Sequence, residues 1–167
     1  ELIDNLESSS YLIQINALKS FLGKNNKKVL KWVDSILKSD ANINLKITAA
    51  EYLTSIPRKS ESYLKNNKPE DLNWRVRTIL LKDAILKKNS AAIDMAAISY
   101  ETTSNLYEKG ILLEALGQLP GKKEWLIEEI MENDSIVSTY GMEGLVSLVD
   151  NSDRKGFYAP YLYETLQ

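Results

Sequence analysis

Five times along the chain, a pair of residues is followed by apolar positions three, four and seven places beyond its second member. The first three are Ile13-Gln14 with Ala17, Leu18 and Phe21; Leu45-Lys46 with Ala49, Ala50 and Leu53; and Val76-Arg77 with Leu80, Leu81 and Ala84. Glu108-Lys109 with Leu112, Leu113 and Leu116 is the fourth, and Val137-Ser138 with Gly141, Met142 and Leu145 the fifth. From Gln14 to Lys46, Arg77, Lys109 and Ser138 the steps are 32, 31, 32 and 29 residues. A fixed period of this size signals a stacked array, because each unit is too small to bury its own apolar face. The offsets fill one stripe of a 3.6-residue helix, so helices are predicted over 11–22, 43–56, 72–87, 106–119 and 135–149. These are termed second helices.

Shorter periodic stretches lie between them and predict the first helices. Val29, Leu30, Val33, Ile36 and Leu37 mark one; Ile93, Ala96, Ala97 and Tyr100 another; Trp125, Leu126, Ile130 and Met131 a third. The stretch around Tyr63 and Leu64 is weakest, predicting a short or irregular helix. Gly23, Pro57, Pro120 and Gly121 are read as stops, and Asp71, Asp134 and Asn105 with Glu108 as starts. Strand signals are poor, so the fold class is all-α, with about five helix pairs plus terminal half-repeats. Leu2, Ile3 and Leu6 read as one half-unit, and Tyr158, Tyr161, Leu162 and Leu166 as another. No polar capping repeat is evident at either end, which predicts a fragment of a longer array in contact with flanking repeats or domains.

Val76-Arg77 with Leu80 and Leu81, and the stretch EKGILLEALGQLP at 108–120, resemble the second helix of HEAT-type repeats, in the short bacterial variety. The resemblance covers most of the chain. It implies a right-handed α–α superhelix over residues 1–167 as a single repeat domain. Its second helices would line a concave protein-binding surface without catalytic residues. The primary expectation is therefore a non-catalytic protein-binding or scaffolding module with an unidentified protein partner. The alternative is the repeat portion of a larger bacterial enzyme, a cyclophilin-type prolyl isomerase or a peptidase. A HEAT-like DNA glycosylase is a more distant alternative.

Composition narrows the chemistry. Cysteine and histidine are absent, which removes the usual zinc ligands, the Ser-His-Asp and Cys-His nucleophile systems and the commonest general base. No catalytic residue, cofactor or metal ligand is assigned. A net charge of −2 argues against a dedicated nucleic-acid binder, and the second helices mix Lys46, Arg75, Arg77, Lys82 and Lys109 with Glu51, Asp83, Glu114 and Glu143. No run of eighteen apolar residues predicts a membrane span. The 17 lysines against 4 arginines point to an AT-rich bacterial genome. A soluble protein of the bacterial cytoplasm, periplasm or cell envelope is expected.

One surface property follows the repeat. Basic residues gather after the second helices: Lys24, Lys27 and Lys28; Arg58 and Lys59; Lys87 and Lys88; Lys122 and Lys123; Arg154 and Lys155. Asp40, Glu70, Asp71, Glu101, Glu132 and Asp134 precede them. The functional reading is a basic edge that captures an acidic partner through Lys87, Lys88, Lys122 and Lys123, with Trp74 and Arg75 as further contacts. The competing reading is complementation of helix dipoles. Trp32 and Trp125 are expected to pack rather than bind. Ser35-x-x-Lys38 is read as chance, Glu128, Glu129 and Glu132 as a solvated face, and Asn133-Asp134-Ser135 as a helix start. Phe157, Tyr158, Tyr161 and Tyr163 could contact a neighbour.

Overall fold

The structure, a computed structural model, describes residues 3–150. Within them the chain is all-helical, and the order of helices follows the period of the sequence. The second helices are α1 (Tyr11–Lys19), α3 (Ile43–Thr54), α5 (Trp74–Leu86), α7 (Leu106–Gly117) and α9 (Ser135–Asp150). Between them lie the first helices α2 (Lys27–Lys38), α4 (Lys59–Asn66), α6 (Ser90–Thr102) and α8 (Lys123–Glu132). The helix α4 is short, as the weak periodicity around Tyr63 predicted. Single 3-10 turns occupy Asp4–Glu7 and Pro69–Asp71. The expected C-terminal half-unit, Arg154, Lys155 and the aromatic run at Phe157–Tyr163 lie outside the described residues.

Side-chain caps set most of the helix starts. Asn26, Asn42, Asn89 and Asn105 each accept from backbone N–H groups of α2, α3, α6 and α7. Asn73 Oδ1 does the same for Arg75 N at 3.0 Å, and Asp134 Oδ1 for Ile136 N at 2.9 Å. Each such bond satisfies a donor that the helix itself leaves unpaired, and is worth about 1 kcal/mol. The start signal at Asp71 is corrected: that residue ends a 3-10 turn, and Asn73 caps α5. The start at Asn105 is more elaborate than a capping box. Asn105 N donates to Thr103 Oγ1, and that hydroxyl donates to Glu108 Oε2 at 2.8 Å.

The chain divides at Ala84 into two compact units, the break falling within α5. In the first, α3 is central and packs against α1, α2 and α4. Small residues make this possible, since Ala49 and Ala50 are fully buried beside Leu45, Tyr52 and Leu53. In the second unit α7 is central and packs against α6, α8 and α9. Here α9 lies close on its neighbours: a Cβ on Gly144 would lie 2.9 Å from the carbonyl oxygen of Glu114 of α7, and one on Gly141 2.6 Å from the Ile130 side chain of α8. At the third position of the fifth echo, the small residue Gly141 is thus a steric requirement. Each leucine buried in these layers contributes about 1.5–3 kcal/mol of transfer free energy.

Two echo positions depart from expectation. Ile13, at the head of the first echo, is 46 % exposed, whereas Leu45, Val76 and Val137 at the same place are buried. Glu108 takes that place in the fourth echo and is buried to 1 % exposure. Its position in the first turn of α7, together with the Thr103 hydroxyl, suits a carboxylate. On α6 the buried stripe is Ala92, Ala96 and Tyr100, one residue away from the predicted Ile93 and Ala97.

Candidate functional site

The inter-helix turns place the predicted basic residues. Each of the four turns from a second to a first helix contains a left-handed residue: Gly23, Arg58, Lys88 and Gly121, with φ of 74°, 63°, 60° and 77°. Glycine adopts this conformation freely, whereas a residue with a Cβ is strained there by roughly 1–2 kcal/mol. Two of the turns therefore hold a basic residue where glycine would be less strained.

The six predicted contact residues fall into distinct settings. In the first unit, Trp74 opens α5 half-buried and the exposed Arg75 guanidinium lies over its ring, 5.0 Å from the centroid. In the second unit, Lys87 and Lys88 are exposed in the turn after α5, and Lys88 N donates to Ile85 O at 2.7 Å. Lys122 is exposed and lies 5.1 Å from the centroid of the Trp125 ring. Lys123 is mostly covered and pairs with Glu124 at 3.0 Å. Hydrogen bonding from Lys123 holds the Glu124 carboxyl below the usual carboxylate range. The neighbours Lys122 and Lys123 thus diverge, one onto an aromatic face and the other onto a carboxylate.

Helix ends assign these cations to the opposite side of the dipole argument from the one the sequence suggested. Lys27 and Lys28 are the first two residues of α2. Arg58 and Lys59 are the N-cap and first residue of α4, and Lys122 and Lys123 those of α8. Cations at a helix N-terminus face the positive end of the dipole, which costs about 0.3–1 kcal/mol each at low salt. Glu132 closes α8 and Glu101 lies in the last turn of α6, which is equally unfavourable. Dipole complementation holds for Lys87 and Lys88, directly after α5, and for Lys24, whose Nζ donates to Ser20 O at the end of α1 at 2.9 Å, but not for the cations that open α2, α4 and α8.

A polar cluster around Tyr100 escaped sequence reasoning. Tyr100, on α6, is buried, and its hydroxyl donates to Glu129 Oε2 of α8. Asn133 Nδ2 donates to the same carboxylate oxygen at 2.7 Å and to Glu129 O at 2.9 Å. Trp125 meets the Tyr100 ring edge-on with centroids 5.7 Å apart, and Lys109 Nζ of α7 sits 4.9 Å from the Tyr100 centroid. Burial, and then the hydrogen bond to Glu129, push the Tyr100 hydroxyl pKa well above its ordinary value. The solvated-face reading of Glu129 is thereby corrected, while Glu128 and Glu132 are exposed. Lys122, Trp125, Tyr100 and Lys109 form a run of two edge-packed rings with a cation at each end. The only sequence signal was the aromatic content of α6 and α8.

The remaining motifs resolve as local structure. Ser35 Oγ donates to Trp32 O at 2.7 Å, and Lys38 pairs with Asp34 at 2.8 Å, so the Ser-x-x-Lys residues do not meet. Among the described residues no group of three or more His, Cys, Asp or Glu side chains is placed to hold a metal ion. None of their helices is long and apolar enough to cross a membrane. No family model, curated protein or solved structure matches the chain.

Proposed function

We propose that this chain is a HEAT-like repeat module, a right-handed α–α superhelix that binds an acidic protein partner through its basic inter-helix turns. One observation supports this above the others: cations recur at the N-termini of α2, α4 and α8, where the helix dipole opposes them. A local rule broken in the same way at three of the four first helices calls for a compensating role, and attraction of a negatively charged surface supplies one. The left-handed Arg58 and Lys88 point the same way, since glycine would relieve the strain but remove the charge.

The test joins binding to stability. The full chain is titrated with polyglutamate, an acidic polypeptide probe, at low and physiological salt. Salt-sensitive binding is expected, and reversal of Lys87, Lys88, Lys122 and Lys123 to glutamate abolishes it. The single change Lys122→Glu, which relieves the dipole conflict, leaves the melting temperature equal or higher. Equal binding by the charge-reversed chain refutes the reading.

A further inference from the structure

Two cavities in the first unit, of about 280 and 330 Å³, share Lys38, Tyr63 and Asn67 in their walls. Leu30 and Leu53 give the smaller one an apolar surface, and Asp34 and Lys59 add opposite charges. Tyr63, on α4, is only 8 % exposed. Its hydroxyl oxygen is shut off from solvent and is the one buried side-chain polar atom among the described residues without a hydrogen-bond partner. The other fully buried tyrosine of this unit, Tyr52, donates to Lys24 O at 2.7 Å. Native proteins rarely leave such a group unmatched, because its lost hydration is not replaced.

The surroundings select what would match it. Burial, and then the charge of Asp34, push the Tyr63 pKa up to about 12, so the hydroxyl keeps its proton and is available as a donor. The Asp34 carboxylate is committed to Lys38 at 2.8 Å. Lys59, half-buried as the first residue of α4, has no carboxylate of the described residues within ion-pair range. Two lysines stand against one aspartate in the smaller cavity, and three against two in the larger. Donors and positive charge are therefore in excess beside an apolar surface, the setting of a small-ligand pocket with few polar groups.

We propose that the smaller cavity binds a small organic carboxylate. Its oxygens accept from the Tyr63 hydroxyl and the Lys59 ammonium group, its short alkyl tail covers Leu30 and Leu53, and a side-chain adjustment of the wall accompanies entry. The proposal is independent of the acidic-partner reading, which the four reversed lysines outside this cavity test separately.

The experiment titrates the full chain, labelled with nitrogen-15, with hexanoate and with its neutral counterpart hexanamide. Hexanoate shifts the Asn66 and Asn67 side-chain amides saturably, and hexanamide at the same concentration does not. Tyr63→Phe and Lys59→Gln each weaken hexanoate binding about tenfold, the loss of one hydrogen bond to a charged group. In the absence of hexanoate, Tyr63→Phe melts at or above the wild-type temperature, because it deletes an unmatched hydroxyl. Four results overturn the proposal: no saturable shift, equal binding of hexanamide, unchanged affinity in both variants, or a lowered melting temperature for Tyr63→Phe. The last would mean that the hydroxyl is already satisfied within the protein.

Discussion

Tyr63 and Tyr100 are both buried tyrosines on first helices, yet one hydroxyl has no partner while the other is held by a carboxylate and neighboured by a carboxamide. Around Tyr100 two neighbouring helices supply complementary groups: Glu129 and Trp125 from α8 and Lys109 from α7. Around Tyr63 the polar groups face other partners, Asp34 toward Lys38 and the Asn67 amide toward Tyr63 O at 2.9 Å. Similar burial therefore conceals opposite energetics. A matched hydroxyl holds its helices together, and an unmatched one is a standing cost that a bound acceptor would remove.

Alkaline pH offers the largest lever on this pair. Both phenols titrate above their ordinary value near 10 in the folded chain, whereas unfolding returns them to it. A raised folded pKa stabilises fully below pH 10 and loses its contribution as pH climbs through the folded value. Discounted for solvent screening, Tyr63 accounts for a decline on the order of 1–2 kcal/mol by about pH 12. Denaturant unfolding at pH 8 and at successive points above 10, with phenolate absorbance in parallel, checks the slope. A flat stability profile would contradict the burial of both hydroxyls.

Single substitutions then separate the two sites. Tyr100→Phe is expected to cost about 1.5–3 kcal/mol, because it breaks a bond to a charged acceptor and leaves Glu129 partly unmatched. Glu129→Gln costs less, about 1 kcal/mol, and a double-mutant cycle with Tyr100→Phe should show strong coupling. Replacing Lys109 by methionine removes the cation over the Tyr100 ring while keeping its bulk, for a loss of about 0.5–1 kcal/mol by thermal unfolding. Tyr63→Phe is the smallest, within about 0.5 kcal/mol of wild type or stabilising. If it proved as costly as Tyr100→Phe, the contrast between the two regions would collapse.

The turns carry a similar lesson at the level of the backbone. Gly23 and Gly121 announced their left-handed turns through residue type, and the chain turns there as expected. Arg58 and Lys88 adopt the same conformation with no such signal in their residue type. Lys88→Gly should therefore change stability by under about 1 kcal/mol, strain relief offsetting the entropy that glycine adds to the unfolded chain.

Local periodicity and cap chemistry act within a few residues, so the sequence alone determined the helix order, its period and most starts. The echo residues predicted α1, α3, α5, α7 and α9, and Asn105 and Asp134 marked where two of them begin. Contacts between distant residues depend instead on how helices pack, which no local pattern records. Tyr100 and Glu129 are 29 residues apart and meet only because α6 and α8 both pack on α7. The same packing buried Glu108 where the echo elsewhere places isoleucine, leucine or valine. In the first unit, tertiary structure enclosed the Tyr63 hydroxyl without supplying an acceptor.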